Sequence, residues 1–479
     1  MALGRWGGEQ QLEMFVPTCE LRSGSTHVFY ERLNELLRDG GFDAWLETLC
    51  ADSYAEGGRP SIPPGVYFRM LFVGYFEDIT SRRGIAWRCQ DSLSLRTFLR
   101  FALTEATPDH SSLSKIGDRL SVEVYEEVFG FVLKRVHEHG LLSGKTVGVD
   151  STFIEANAAM KSIVRKESGG DWRAYLQRLA AAEGLELKTR EELARFDKPR
   201  KKDGKKKASN EEWESKTDAD SRIMKMKNGS THLAYKAENA VDLDTGVILA
   251  AEITPANIAD SASVVDTLDV AIATVIDVTG EDRVQEAVAD KGYCKLQTLS
   301  DCVEHDLATT FSEPKVNGER RWHDKPDSHK TAFDDNHDRV TSAEGKALLR
   351  RRGEVVERTF AHLCETGGSR RVTVRGMDKV KIWYQLRAAS HNLGLILRTL
   401  VGTGKPRSFS AALLALWTVV CAFQNALWKL LDAIRGRRIP PNRETPAPAA
   451  IDWLGKLKLD RPSLTTKHAA FSTGCYLSG

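Results

Sequence analysis

Three acidic residues occupy positions that solubility alone does not explain. Asp150 lies inside "TVGVDSTFIEAN" (146–157), a run that otherwise reads as a buried strand. Asp290 closes the apolar stretch of "VQEAVADKGY", and Glu357 sits in "RRRGEVVERTFAHLC", where Val356, Phe360 and Leu363 form an apolar stripe at helical spacing. An ionised carboxylate is costly to bury unless something compensates it. Two strand-borne acids and one helix-borne acid can converge at one edge of a sheet. Such an all-oxygen set suits Mg²⁺ or Mn²⁺ rather than metals that prefer thiolate or imidazole. Two ions held in this way clamp the attacking and leaving oxygens of an in-line phosphoryl transfer. Each acid also has a plainer reading. Asp150 before Ser151-Thr152 fits a strand-end turn, Asp290 before Lys291-Gly292 fits turn chemistry, and Glu357 with Arg358 fits a solvated helix pair.

The charges around these acids point to their substrate. The 479-residue chain has a net charge of only +2, so a nucleic-acid surface requires local segregation of Lys and Arg. From Lys346 to Lys381 there are ten basic residues (346, 350, 351, 352, 358, 370, 371, 375, 379, 381) against four acids (354, 357, 365, 378). A basic field around an acidic metal site is what a phosphodiester substrate requires. A second basic run, "KPRKKDGKKK" (198–207), places Lys201, Lys202 and Lys206 for DNA backbone contact, or forms a disordered linker.

The elements that must position these residues follow from periodicity and caps. The first ~140 residues read as helical, with "PPGVYFRMLFVGYF", "SRRGIAWRC" and "SLSLRTFLRF" as three punctuated helices. A further helix opens at "PDHSSLSKIGDRL", with Ser111 or Ser112 as its cap. Arg82, Arg83, Arg88 and Arg96, interleaved with aromatics, suit a helix-turn-helix-like DNA-binding module, and a helical bundle with a solvated basic face fits the same segment. From Lys145 the pattern turns to strands. "TVGVDSTFIEAN" is followed by "HLAYKAENAVDLDTGVILAAEITPA", a hairpin turning at Asp244-Thr245-Gly246. The helix "DSASVVDTLDVAIATVI", the strand of "VQEAVADKGYCK", a helix over 296–305 and the β-prone "LATTFSE" complete an α/β layer architecture. The expected organisation is a helical DNA-binding domain (1–140), a catalytic domain (141–404) and a helical, Pro-rich tail (405–479). Two insertions interrupt the catalytic domain: a charged, helix-prone one at about 160–230 and a polar, loop-like one at about 312–350.

Eight scattered cysteines lack Cys-x-x-Cys spacing and read as reduced thiols of a cytoplasmic protein. "MALGRWGGEQQLEMF" has no apolar run of a secretory signal, and the apolar segment within 409–438 is broken by Gln424 and Asn425, so a buried or partner-facing helix is expected there rather than a membrane anchor. "GLLSGKT" (140–146) has too few residues between its glycines for a phosphate-binding loop and precedes a strand rather than following one.

Taken in order, "GRPSIPPGVYFRMLFVGYF", "DSLSLRTFLRF", "TPDHSSLS", "VGVDST", "KMKNGSTHLAYKAENAVD", "ADKGY" and "VVERTFAHL", followed by "AASHNLG", resemble the DDE transposases of bacterial insertion sequences, and within them the IS-eleven-eighty-two-like branch. The resemblance covers about 31–398. It implies an RNase H-like catalytic domain with Asp150, Asp290 and Glu357 as ligands of, in all, two Mg²⁺ or Mn²⁺ ions. It also implies double-stranded DNA as substrate, a homodimer on DNA, no membrane partner, and work at the bacterial nucleoid. The chain departs from related enzymes at positions 350, 353 and 364, where Arg350, Gly353 and Cys364 replace the usual Tyr, Arg and Lys. Arg352, Arg358 or Arg371 then take the phosphate contacts. Trp322 is a candidate to stack on a flipped base, or to anchor its loop to the core. Two other activities fit the same residues: a metal-dependent nuclease of this fold that does not join DNA, and an inactive DNA-binding remnant of an element.

Overall fold

The computed structural model describes residues 27–55, 57, 61–202, 209–226, 228–315 and 322–406. Lys206 and the segment 409–438 with its Pro-rich linker lie outside the described residues, as do the side chains of Lys201 and Lys202. No helix among the described residues is long and apolar enough to cross a membrane.

Seven helices come first: α1 (Val28–Asp39), α2 (Phe42–Leu49), α3 (Pro64–Phe76), α4 (Arg82–Asp91), α5 (Leu93–Phe98), α6 (His110–Arg119) and α7 (Val122–Glu138). Pro64 at the first position starts α3, where a missing N–H costs nothing, and Ser81 and Ser92 cap α4 and α5 by accepting from the amides of Gly84 and Leu95. The cap of α6 is not a serine. Asp109 accepts from the Ser112 amide at 2.7 Å, because the residue that precedes the first helical turn, and not one within it, faces the free N–H groups. Arg96, expected at a DNA surface, is 8 % exposed and turned inward. Its guanidinium donates to the carbonyls of Ala102 (2.7 Å), Leu103 (3.1 Å) and Glu105, closing the loop after α5.

The second part is a mixed sheet of β1 (Thr146–Glu155), β4 (Arg222–Lys225), β5 (Thr231–Asp242), β6 (Ile248–Pro255), β7 (Glu286–Ala289) and β8 (Ala308–Phe311); β2 (Ile163–Arg165) and β3 (Trp213–Ser215) form a separate ribbon. The order is β6-β5-β1-β7-β8, with β4 extending the β6 edge of β5. β1, β5 and β6 are antiparallel, whereas β1, β7 and β8 are parallel. The β5–β6 turn falls at Asp244-Thr245-Gly246 as expected, and Gly246 takes the positive φ (79°) that this turn requires. β5 is buried on both faces, which is why its sequence alternates so weakly.

Helices cover both faces and both edges. α10 (Asp260–Thr279) and α11 (Leu296–Glu304) lie on one face; α13 (Ala343–Ala361) and α14 (Met377–Val401) lie on the other. α12 (Asp327–Thr341) runs along β8, where the Asn336 amide accepts from the Phe311 N–H (2.8 Å) and donates to its carbonyl (3.0 Å). Asn392 of α14 does the same for Ile248 on β6 (3.0 and 2.9 Å). Each sheet edge is thus capped by a buried carboxamide that imitates a strand and removes an open hydrogen-bonding edge. This is a mixed α/β, RNase H-like fold with a helical N-terminal region.

Two stretches differ from the sequence expectation. Residues 312–350 are largely helical, formed by α12 and the start of α13. Among the described residues of this stretch only Ala332, Asn336 and Gly345 are buried, so too little apolar periodicity marks the helices. The charged stretch 160–230 carries the helices expected of it, α8 (Trp172–Ala182) and α9 (Arg190–Lys202), but adds the unexpected β2–β3 ribbon around Trp172, Tyr175 and Trp213, whose ring centroids lie 5.1 to 5.5 Å apart.

α13 approaches the sheet closely because β1 has no side chain at Gly148. A Cβ there would overlap the Leu243 side chain, and would lie 3.0 Å from Val356 Cγ2 and 3.2 Å from Arg352 Cγ. Gly148→Ala is expected to lower stability by about 1–3 kcal/mol through overpacking. Urea unfolding of the full chain followed by circular dichroism checks this, and an unchanged midpoint would refute it.

Candidate active site

Alternation along β1 sends Gly148 and Asp150 to the α13 face and Val149 and Ser151 to the α10 face. β7 pairs with β1 in parallel, with Gly148 beside Val288. β7 ends at Ala289, and Asp290 follows it where the chain enters a turn, near enough for its charge to act on Asp150. Asp150 has its pKa raised, first by burial and further by the charge of Asp290, while Arg352 and the Ser151 amide pull it down. Asp150 Oδ1 accepts from that amide at 2.8 Å, and Asp290 Oδ1 accepts from the Gly292 amide at 2.8 Å. The β7 strand ends in this turn, so Asp290 is held by backbone on one side and open on the other.

α13 lies across these two strands. Its Arg352 places Nη1 3.0 Å from Asp150 Oδ2. Arg351 and Val355 face the β5–β6 turn, where Arg351 Nε donates to the Leu243 carbonyl at 2.7 Å. Glu357 is about 120° round the helix from Arg351, on the flank away from that turn. It is exposed and makes no hydrogen bond or ion pair among the described residues. Among the described residues no group of three or more His, Cys, Asp or Glu side chains is arranged to hold a metal ion. The structure therefore brings Asp150 and Asp290 within reach of each other's charge, and leaves Glu357 exposed on the covering helix without joining it to them. Two adjacent carboxylates facing one guanidinium are deficient in positive charge, and that donor set suits a hard divalent cation.

Behind the site lies a polar network on the α10 face that sequence reading missed. Ser151 donates to Asp260 at 2.9 Å, and Lys236 Nζ lies 3.3 Å from Asp260 and 3.7 Å from Glu238. Glu238 also accepts from Ser263 (3.1 Å), Thr267 (2.7 Å) and Tyr293 (3.0 Å). Lys236, Glu238 and Tyr293 are fully buried; burial raises the pKa of Glu238, and Lys236 opposes that rise. Asp260 reaches the turn after β7 as well. A Cβ on Gly292 would lie 3.1 Å from both Asp260 Oδ2 and Asp290 Oδ1. Asp260 thus sits between the backbones that carry Asp150 and Asp290. The available signal was Lys236 and Glu238 at strand spacing in an otherwise apolar run.

The other basic residues divide by exposure. Arg83 is exposed on α4, Arg82 is half-buried over Gly117, and Arg88 is tied to the buried Glu77 with Nε 3.4 Å from its carboxylate. Arg358 pairs with Glu354 on the exposed side of α13, and Arg371 lies 4.0 Å from Glu155 and is mostly exposed. Trp322 is partly buried, with its ring 5.6 Å from Phe333 of α12 and Lys325 5.9 Å over it. In this structure the Trp322 ring packs as a loop anchor.

Residues 147–393, more than half of the chain, match the family model of the transposase DDE domain, and residues 18–119 match that of a transposase domain, DUF772. No curated protein matches the chain.

Removing the cation at the centre of the network strands two acids. Lys236→Met is expected to cost about 3–5 kcal/mol, the usual penalty for breaking a buried ion pair from one side. The double variant K236M/E238Q should recover part of that loss. Chemical denaturation of the three proteins measures both, and a K236M protein as stable as the parent would refute the role given to Lys236.

Proposed function

The chain belongs to the transposase DDE domain family, and on that footing we propose that it is the transposase of a bacterial insertion sequence of the IS-eleven-eighty-two-like branch. It binds the element's terminal inverted repeats through α1–α7, cuts phosphodiester bonds there, and joins the freed 3′-hydroxyls to target DNA. The observation that supports this reading is that Asp150, on β1, feels the charge of Asp290, which follows the neighbouring parallel strand β7, while Arg352 of a basic helix contacts Asp150.

DDE transposases generally use divalent metal ions. In this chain Asp150 and Asp290 would hold Mg²⁺ or Mn²⁺, and Glu357, on the adjacent flank of α13, would complete the ligand set when DNA is bound. Two such cations, when bound, would supply charge stabilisation to the phosphoryl transfer. The chain's own residues do the rest. β1 and β7 fix the spacing of the aspartates, while the Ser151 and Gly292 amides orient their carboxylates. Arg358, whose partner Glu354 is solvated, is free to exchange it for a backbone phosphate, and Arg371, itself 61 % exposed and 4.0 Å from Glu155, can do the same. Arg83 serves the same purpose on the helical module. Two DNA ends must be held at once, so the working form is a homodimer on DNA. It acts at the nucleoid in the cytoplasm.

The test uses full-length protein, Mg²⁺ and a DNA fragment carrying the element's ends. Asp150→Asn, Asp290→Asn and Glu357→Gln should each lower cleavage and strand joining by at least about a hundredfold, while end binding in gel shifts stays near the parent's. Undiminished cleavage by any one of the three removes that residue from the site. Supplying pre-cut ends separates the joining step: a parent enzyme that cuts but never joins is a nuclease and overturns the reading.

A further inference from the structure

Arg352 is held in an arrangement that satisfies only part of it. Its Nη1 donates to Asp150 Oδ2 at 3.0 Å, and its side chain is 12 % exposed against 24 % for Asp150. Its Nε is buried without a hydrogen-bond partner. A guanidinium offers Nε and one Nη as a parallel pair that fits two oxygens of one carboxylate or phosphate. Here it meets one oxygen of Asp150, since Oδ1 is turned to the Ser151 amide. The free chain therefore carries a buried donor that stays unpaired while Arg352 remains at Asp150. Charge explains why it remains. Lys236 on the opposite face is already shared between Asp260 and Glu238, which leaves Arg352 as the cation that touches Asp150.

Resting on the function proposed above, we propose that Arg352 is the counter-cation of the unloaded site and becomes a phosphate ligand of the loaded one. A divalent cation at Asp150 repels the guanidinium and competes with it for Oδ2, so cation binding displaces Arg352. Once displaced, its Nε and Nη meet the oxygens of a DNA phosphate beside the aspartates. The backbone of α13 does not move in this exchange; the side chain rotates about a stem that already lies against Gly148. Metal and DNA then favour one another, because each takes a partner that the other releases.

Titrating Mn²⁺ into full-length protein without DNA, by calorimetry or by the electron paramagnetic resonance of free Mn²⁺, tests the displacement. Arg352→Gln should bind Mn²⁺ about tenfold or more tightly than the parent, since a positive charge no longer competes at Asp150. Arg352→Lys keeps the charge and should stay within about threefold of the parent, while losing strand joining because it lacks the paired donors. Asp150→Asn should abolish the tight site in either background. Circular dichroism and melting curves confirm that each variant is folded; should Arg352→Gln not fold, Arg352→Met replaces it. Equal or weaker Mn²⁺ binding by the folded neutral variant overturns the proposal. The titration involves no transposition. Tightened binding in a protein that never joins DNA therefore counts against the proposed function alone, whereas unchanged binding in an active transposase counts against this inference alone.

Discussion

A carboxylate on the central strand of a sheet projects to one face, and its charge has to be met from the element that covers that face. Asp150 lies between β5 and β7 under that constraint. The Ser151 amide takes one of its oxygens, and Arg352 of α13 takes the other. Much of the local architecture follows from bringing that arginine close enough. Gly148 clears the space for its stem, Val356 packs beside it, and Arg351 fixes the same helix to the carbonyls at the β5–β6 turn. A helix that must carry charge to a buried acid cannot also be continuously apolar. α13 accordingly presents a narrow buried stripe flanked by arginines.

The opposite face solves a different problem. The buried Lys236 and Glu238 and the partly exposed Asp260 form an arrangement with one cation and two acids, and the hydroxyls of Ser151, Ser263, Thr267 and Tyr293 absorb the excess negative charge. Such a network is weak evidence for added stability, since an apolar cluster of the same volume would cost less to bury. Its value is directional. Every member has a fixed partner, and Asp260 stands between Ser151, next to Asp150, and Gly292, two residues beyond Asp290. The spacing of the two aspartates is set by this network from one face and by strand register from within the sheet.

The sequence made the sheet legible where a single face or a turn dominates. The run at 146–155, the hairpin at Asp244-Thr245-Gly246, α10 and the short strand before Asp290 all lie within a few residues of where pattern places them. It was silent where burial is complete or nearly absent. α14 is buried almost all round from Tyr384 to Leu397 and so shows no polar face, while α12 buries only Ala332 and Asn336 and looks like a loop. Arg96 was misplaced because an arginine in a short helix looks the same whether it faces solvent or closes a loop through three carbonyls. The acids themselves were found one by one. What no linear pattern contained was the meeting of Asp260 and Lys236 behind them, since both lie far from Asp150 and Asp290 in the chain.

The basic field counted along α13 and beyond is largely compensated in the free chain, and this changes what the count means for DNA. Arg351 bonds Leu243 and Asp244, Arg352 bonds Asp150, Arg358 bonds Glu354, and Arg370 bonds Glu365. A phosphate must displace these partners, so exposure of the pair and not the number of arginines decides which can respond. Arg358 and Glu354 are 58 % and 69 % exposed, and a solvated pair of that kind is worth no more than about 1 kcal/mol, which a charged backbone easily outbids. Arg88 shares the 9 % exposed Glu77 with Tyr30, and breaking that contact leaves a buried carboxylate short of a partner. Exposure therefore divides the arginines into those that hold the fold and those that can be lent to DNA. Arg352 belongs to neither group, because its partner is buried and is at the same time the residue that metal binding would claim.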